Sequence, residues 1–360
     1  MNRLVLRGAA AGLLVLAACG RGQTSSSSFA YVGNNDLSSV SVFHIQQDSG
    51  MLTLLKTVDT PGGGATYCEL APSGRFLFVS GQFGNLLSTY ALDAAGMPTL
   101  VAGSAVPTGI NPHNLATDPS GRFLYVADTS SNTVTGFAVA ASGTLTPVPG
   151  SPFPAGSTPY DVKVAASGKF AYAVNRDSED VSAYAVDSAT GALSPIAGQP
   201  FRIGCTRPPC GPRAIEFSPD GKFAFLPDRF SSQVSVLAVD VGTGALAAAP
   251  GSPFAAGQDP RSAAVDASGR HLYVANTVSN DVTAYSIDAR TGALTQLSGS
   301  PWPAGAVPLG LEIDESGRYL YSANSGSNSV SIFHIDGSTG GLSPAGTVAT
   351  PGSAFSITLK

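Results

Sequence analysis

The sequence predicts an all-β chain: a seven-bladed β-propeller of four-stranded blades, its ring closed by the C-terminal strand joining three N-terminal strands. Seven aromatic segments carry the first argument. They are Phe29-Ala-Tyr-Val, Phe76-Leu-Phe-Val, Phe123-Leu-Tyr-Val, Phe170-Ala-Tyr-Ala, Phe223-Ala-Phe-Leu, His271-Leu-Tyr-Val and Tyr319-Leu-Tyr-Ser, and their starts lie 47, 47, 47, 53, 48 and 48 residues apart. A fixed period of this size marks a repeat architecture and outranks any local pattern. Composition carries the second. The 360 residues include 42 Gly and 26 Pro but only 12% charged residues, a turn-rich balance that suits many short strands. The third is the phase of the ends. Phe29 opens on a second strand with no first strand before it, and Ala354-Phe-Ser-Ile-Thr-Leu is a first strand with nothing after it. Joining them completes a blade and removes two open sheet edges.

Residues 1–18 read as an export leader. Arg3 and Arg7 make a positive start, and Ala9 to Ala18 is an apolar run too short to span a bilayer. It ends Leu16-Ala17-Ala18-Cys19-Gly20, which resembles the lipobox of bacterial lipoproteins. The resemblance implies that Cys19 is acylated and anchors the mature chain to a membrane. Gly20, where an aspartate is associated with inner-membrane retention, implies the outer membrane, facing the periplasm. Residues 19–28 are then the lipidated cysteine and a serine-rich flexible tether, and residues 29–360 are the propeller.

Within each repeat a first strand follows a proline, as in Pro159-Tyr-Asp-Val-Lys-Val. A turn such as Ser120-Gly121-Arg122 uses glycine's ready access to positive φ. The aromatic strand follows, then a third strand such as Asn280-Asp-Val-Thr-Ala-Tyr-Ser-Ile. A turn like Asp288-Ala-Arg-Thr-Gly292 leads into an edge-like strand, Ala293-Leu-Thr-Gln-Leu. Period-2 alternation turns Val and Tyr toward neighbouring blades. The longest interval contains a Pro-rich loop, Gly204 to Gly211, where Cys205 and Cys210 of an exported chain predict a disulfide. Cys68 alternates with apolar neighbours and reads as a buried thiol. No set of metal ligands lies close by, so neither a metal nor a cofactor is expected.

Lys and Arg number 19 against 24 Asp and Glu, and loss of Arg3 and Arg7 with the leader takes the net charge to about −7. Nucleic acid, whose phosphates demand a basic face, is excluded as a partner. The propeller is expected to be a monomer.

The repeats Leu272-Tyr-Val-Ala-Asn276 and Thr291-Gly-Ala-Leu294 resemble those of the lactonase family of seven-bladed propellers. That family includes a bacterial 6-phosphogluconolactonase and a fungal muconate-lactonising enzyme; the chain also resembles the wider YVTN-type propellers of cell surfaces. The resemblance spans residues 29–360. It implies a catalytic set of a histidine after a proline, an arginine in Gly-Pro-Arg-His, a glutamate in Asn-Glu and a further arginine. Asn111-Pro112-His113 keeps the histidine, with Asp128 at a neighbouring acidic position, and Gly211-Pro212-Arg213 keeps the first arginine. Ala214 stands in place of the motif's histidine, Asp228-Arg229 in place of Asn-Glu, and Asn276-Thr277 in place of Asn-Arg.

Counting nine residues back from each turn glycine reaches Ala65, Pro112, Pro159, Pro212, Pro260 and Pro308. The next residues, at the start of the innermost strands, are Thr66, His113, Tyr160, Arg213, Arg261 and Leu309. Second strands run the opposite way and end on the same face, adding Asn34, Asp128, Asn175, Arg176, Asp228, Arg229, Asn276 and Asn324. Together these are expected to line one mouth of the central channel. Asn at a strand end commonly bonds to backbone in the following turn, which accounts for Asn34, Asn276 and Asn324. His113 reads either as a hydrogen-bonded channel residue or as a functional one. Arg213 and Arg261 either pair with Asp161, Asp259 or Asp228, or remain free for a ligand. His44, His334 and His271 read as structural.

Arg176, Arg213, Arg229 and Arg261 come from successive repeats of an acidic protein. Guanidinium groups match carboxylates and phosphates bidentately, so the expected occupant is an anionic ligand held among them and Asp128, Asp161 and Asp228. A lactone or a protein partner is the alternative. For chemistry, His113 is the base available at neutral pH, activating water while Arg213 holds the oxyanion. No nucleophile elbow, zinc-protease helix or phosphate loop competes.

Overall fold

The computed structural model describes residues 28–206 and 208–360. Cys19, the leader, the tether up to residue 27 and Arg207 lie outside the described residues. Every regular element among the described residues is a β-strand, and the strands form seven antiparallel sheets. In chain order, blades 1 to 6 occupy residues 65–107, 112–154, 159–202, 212–255, 260–303 and 308–349. Blade 7 is composite. Its inner strand is Ala354–Leu359, and its other three are Phe29–Asn34, Ser39–Ile45 and Leu52–Asp59. Val32 lies opposite Ile357 in the closing ladder, and Phe29 and Lys360 exchange backbone hydrogen bonds of 2.7 and 2.8 Å. The out-of-phase ends therefore close the ring.

The blades depart from four simple strands at the rim. In blades 1 to 5 the outer strand is broken into two pieces that both pair with the third strand, as Leu145–Pro147 and Phe153–Pro154 do with Thr133–Val139. Proline cannot donate to a ladder, which confines it to edges. Serine hydroxyls fill gaps in the interrupted ladder: Ser151, Ser252 and Ser300 accept the amides of Gly136, Val236 and Ala284 at 3.0, 2.8 and 2.9 Å. In blades 6 and 7 the outer strands, Leu342–Ala349 and Leu52–Asp59, run unbroken.

Blade-to-blade packing explains the repeated motifs. The ring that opens each second strand lies under a turn glycine of the next blade. At Gly292 (φ +72°) a Cβ would fall 2.5 Å from Phe223, so both the backbone angle and the contact demand glycine. Two residues on, Tyr125, Tyr172, Tyr273 and Tyr321 donate hydroxyl bonds of 2.8–3.0 Å to Gly191, Gly244, Gly340 and Gly50 of the next blade. His271 takes the opening position in blade 5, where its Nδ1 lies 2.7 Å from Asp266. His44 and His334 meet Phe29 and Tyr319 edge-on at 6.0 and 5.8 Å. None of these three histidines lies at the mouth: each packs against, or bonds to, a neighbour within its own blade.

Each inner strand carries one irregularity that positions the site. Pro112 pairs with Asp128 but Leu115 with Val126, so the inner strand holds one residue more than its partner. The same slip recurs at Pro159, Pro260 and Pro308. A bulge of this kind lets two consecutive side chains turn toward the channel.

Candidate functional site

The first bulge residue of each blade builds a layer across the channel mouth. The positions are Thr66, His113, Tyr160, Arg213, Arg261 and Leu309, as the repeat spacing predicts, with Phe355 as the seventh. Phe355 escaped the glycine count because no turn follows it, although ring closure itself implies it. Thr66 is buried and donates to the Gly64 carbonyl at 2.8 Å. Its neighbour Tyr67 joins the aromatic stack instead.

That stack closes the mouth. The His113 ring lies 3.7 Å from Tyr160, 4.7 Å from Tyr67 and 6.0 Å from Phe355, centroid to centroid. His113 Nδ1 is 3.1 Å from the Tyr160 carbonyl oxygen. A carbonyl only accepts, so Nδ1 carries the proton and Nε2 keeps its lone pair. Burial, reinforced by Arg261 and Arg213, holds the imidazole well below its usual range, so it is uncharged at neutral pH. It is only 2% exposed.

Three guanidinium groups gather over the same phenol ring. Their Cζ atoms stand 4.3 Å (Arg213), 5.6 Å (Arg261) and 5.7 Å (Arg176) from the Tyr160 centroid. Arg261 also donates from Nη2 to the Tyr160 hydroxyl at 3.0 Å and lies 5.1 Å from the Phe355 centroid. Cation–π attraction to the ring faces holds them there. Two of the four mouth arginines are neutralised: Arg176 grips Asp177 through two bonds of 2.6 and 2.9 Å, and Arg229 pairs with Asp259 at 3.0 Å. The other two are not. Among the described residues no carboxylate pairs with Arg213 or Arg261, and the Nε of each is buried without an acceptor. Burial pulls Arg213 down to about 10, which still leaves it a cation at neutral pH.

The expected acidic companions are elsewhere. Asp128 and Asp228 are fully buried within their own blades, accepting from Thr133 and Thr135 and from Ser235. They belong to the same column as Asn34, Asn175, Asn276 and Asn324, which donate to third-strand Ser, Thr or Asp side chains. This corrects two expectations: Asn34, Asn276 and Asn324 donate to side chains of their own blades rather than bonding turn backbone, and Asp128 and Asp228 are buried in their own sheets rather than turned to the mouth. A strand-end residue points either to the mouth or into its own sheet, and the sequence does not distinguish these. Asp161 sits one layer below the mouth, with Oδ2 accepting the Ile215 amide at 2.9 Å.

The cavity of the channel, about 220 Å³, lies beneath this layer and not at it. Tyr67, Asn114, Asp161, Ser262 and Ser356 line its upper end, whereas none of the seven mouth residues lines it. The mouth is therefore a surface site floored by stacked rings. Beside it, Cys205 and Cys210 form the predicted disulfide, and the Cys210 amide donates to Glu179 at 3.0 Å. Cys68 is the buried free thiol, pushed up to about 12 by burial and so unreactive at neutral pH.

Comparison with known proteins gives a consistent fold. The family described as lactonase, 7-bladed beta-propeller, matches residues 23–156 and 200–358. No curated protein sequence matches. Among solved structures, a protein of Bacteroides uniformis provisionally named a 6-phosphogluconolactonase is 21% identical, with a TM-score of 0.82 over 93% of this chain and 99% of its own. A similarly named protein of Bacteroides fragilis is 21% identical, with a TM-score of 0.80 over 95% and 100%. The periplasmic gluconolactonase of Pseudomonas aeruginosa is 24% identical, with a TM-score of 0.77 over 93% and 99%. At such identities the likeness is one of fold.

Proposed function

We propose, from the premise that the chain belongs to the lactonase family of seven-bladed β-propellers, that its mouth binds a carboxylate- or lactone-bearing small molecule through Arg213 and Arg261. The observation that carries this is the pair of unneutralised guanidiniums above one tyrosine, beside two others that do have carboxylates. Placing two cations side by side without counter-charge is unfavourable, and an anion relieves it. A carboxylate fits because both of its oxygens can accept from the arginine forks. Calorimetric titration with D-gluconate should show binding that Arg213→Ala or Arg261→Ala weakens tenfold to a hundredfold, the range of a charge-assisted hydrogen bond of about 1.5–3 kcal/mol. Arg176→Ala, whose partner is Asp177, should change affinity little. No binding of millimolar gluconate or glucuronate would remove the proposal.

A second activity, lactone hydrolysis, is favoured by the His113 tautomer. Nε2 has a free lone pair, and Arg213 can hold an oxyanion, so water attack on a lactone carbonyl has a base and an electrostatic partner. Arg229 occupies the place of the family's glutamate, which argues for poor hydrolysis of 6-phosphogluconolactone. Turnover of glucono-1,5-lactone above the spontaneous rate that falls by about 10²–10⁴ in His113→Ala would establish the activity.

The address belongs to the same proposal: a monomer exported and anchored through a lipid on Cys19, in the outer membrane facing the periplasm. The disulfide suits an oxidising compartment. Phe29 starts its strand on the face opposite the mouth, so an anchor that precedes it in the chain would leave the mouth pointing away from the lipid. Labelling with radioactive palmitate that persists in Cys19→Ser would overturn the anchor.

A further inference from the structure

Arg213 stands on a segment that its own sheet holds by few bonds. The inner strand of blade 5 pairs with its neighbour at Pro260 and from Ser262 to Val265, so Arg261 lies on a regular ladder. In blade 4 the regular pairing is confined to Glu216 and Phe217, with an isolated bridge at Pro212. Between them the Arg213 amide donates to the Pro227 carbonyl at 3.2 Å. The segment also follows a long entry loop, residues 203–211, where blade 2 has only residues 108–111.

Blade 3 supplies what the ladder lacks, on both sides of Arg213. Ahead of it, Glu179 Oε1 accepts the Cys210 amide at 3.0 Å. Beyond it, Asp161 Oδ2 accepts the Ile215 amide at 2.9 Å. Tyr160, whose ring centroid lies 4.3 Å from the Arg213 guanidinium, belongs to the same blade.

The other blades show what is particular here. At the place of Glu179 in their turns, Ser38, Asn85, Asn132 and Asn280 accept the amides of Gly64, Asn111, Thr158 and Val307 at 2.7–2.9 Å. Each of those four donors is the residue just before an inner strand. Cys210 stands one residue further back from Pro212, and the extra methylene of glutamate covers that distance. Glu179 has a φ of +57°, a conformation that asparagine adopts more readily than glutamate. The backbone therefore gives no reason for a glutamate there, whereas the reach of its carboxylate does. The Asp161 bond has a counterpart too. Leu311 donates to Ser262 of the preceding blade at 3.2 Å, yet it also pairs with Ser322 in its own sheet. Ile215 has no such ladder pairing among the described residues.

We propose that Glu179 and Asp161 are positioning residues, through which blade 3 sets the Arg213 guanidinium over Tyr160. What each supplies is an acceptor in a fixed place. A side-chain amide of the same length keeps that acceptor, and a methyl group does not. The bearing of this on a ligand rests on the mouth being an anion site; the placement of Arg213 does not.

The test has one measurement without ligand and one with it. Hydrogen exchange followed by NMR should show the Cys210 amide exchanging about tenfold faster in Glu179→Ala, and the Ile215 amide likewise in Asp161→Ala. Rates in Glu179→Gln and Asp161→Asn should stay near the parent's. Melting temperatures show which variants fold, and the Glu179 pair, in a surface turn, carries the test if Asp161→Ala does not. Calorimetric titration with D-gluconate should give an affinity about tenfold weaker in Glu179→Ala and restored in Glu179→Gln. With Arg213→Ala already in place, Glu179→Ala should change the affinity by less than about twofold, because the group being positioned is gone. Parental exchange at Cys210 in Glu179→Ala, parental gluconate affinity in that variant, or an equal loss in the Arg213→Ala background would each overturn the proposal. A parent that binds no gluconate while the exchange responds as stated would remove the anion site and leave the positioning standing.

Discussion

Asp228 occupies a position that four other blades fill with asparagine, and the difference is a charge. Its carboxyl is buried, accepts from Ser235, and is raised by burial to about 8. Between the usual carboxylate range and pH 8 the native state keeps a proton that the unfolded chain has released. Stability therefore falls as pH rises through that window. Asp228→Asn should remove the slope: its stability gain over the parent should grow by up to about 1.4 kcal/mol per pH unit from pH 4 to 8, then level off. Urea melts across that range check it, and a pH-independent difference would contradict the assignment. His113 acts with the opposite sign, since its pKa is lowered in the fold. It stabilises fully above the unfolded value and loses that contribution as pH falls below about 6.5. At this scale the sequence was a partial guide. It located His113, Arg213 and Arg261 by counting from glycines. It could not tell that Asp259 would choose Arg229, because that choice rests on which side chains a bulge turns inward.

At the scale of the strand, the inner strand of blade 7 has the most exacting job. Ala354 and Ile357 are buried in the closing blade, and Phe355 completes the mouth stack. Deleting residues 354–360 removes the inner edge from one sheet and reopens the ring. Each large apolar side chain lost forfeits roughly 1.5–3 kcal/mol of burial, against a domain stability of about 5–15 kcal/mol. The truncated protein should melt far below the parent, and a shift of only a few degrees would contradict ring closure. The disulfide loop is a lesser element. Its short span stabilises by about 2 kcal/mol through the unfolded chain, so Cys205→Ser with Cys210→Ser should fold with a modest loss. Strand order and closure were legible because a period near 48 residues can build little else. The broken outer strands were not, since two- and three-residue segments carry too few side chains to show a period. Glu69, Glu216 and Glu312, which line the cavity below the mouth, were missed for another reason: the bulge shifts the inward alternation, and only paired registers reveal it.

Across the whole molecule, charge is sorted by depth in a way that net charge hides. The chain carries an excess of acid, yet its mouth holds two arginines without carboxylate partners, above a cavity lined by Glu69, Asp161, Glu216 and Glu312 with Lys163 among them. The stacked rings of Tyr67, His113, Tyr160 and Phe355 separate the two. An anion at the mouth should stabilise the whole ring by mass action, raising the melting temperature with its concentration. Sodium gluconate should do so more than sodium chloride at equal ionic strength, which screens without bridging. The most direct measurement is a crystal structure of the protein with D-gluconate. Its carboxylate should lie on the mouth layer, with oxygens about 2.7–3.2 Å from the guanidinium nitrogens of Arg213 and Arg261. A well-ordered gluconate bound elsewhere, with both arginines still lacking an anionic partner, would contradict it.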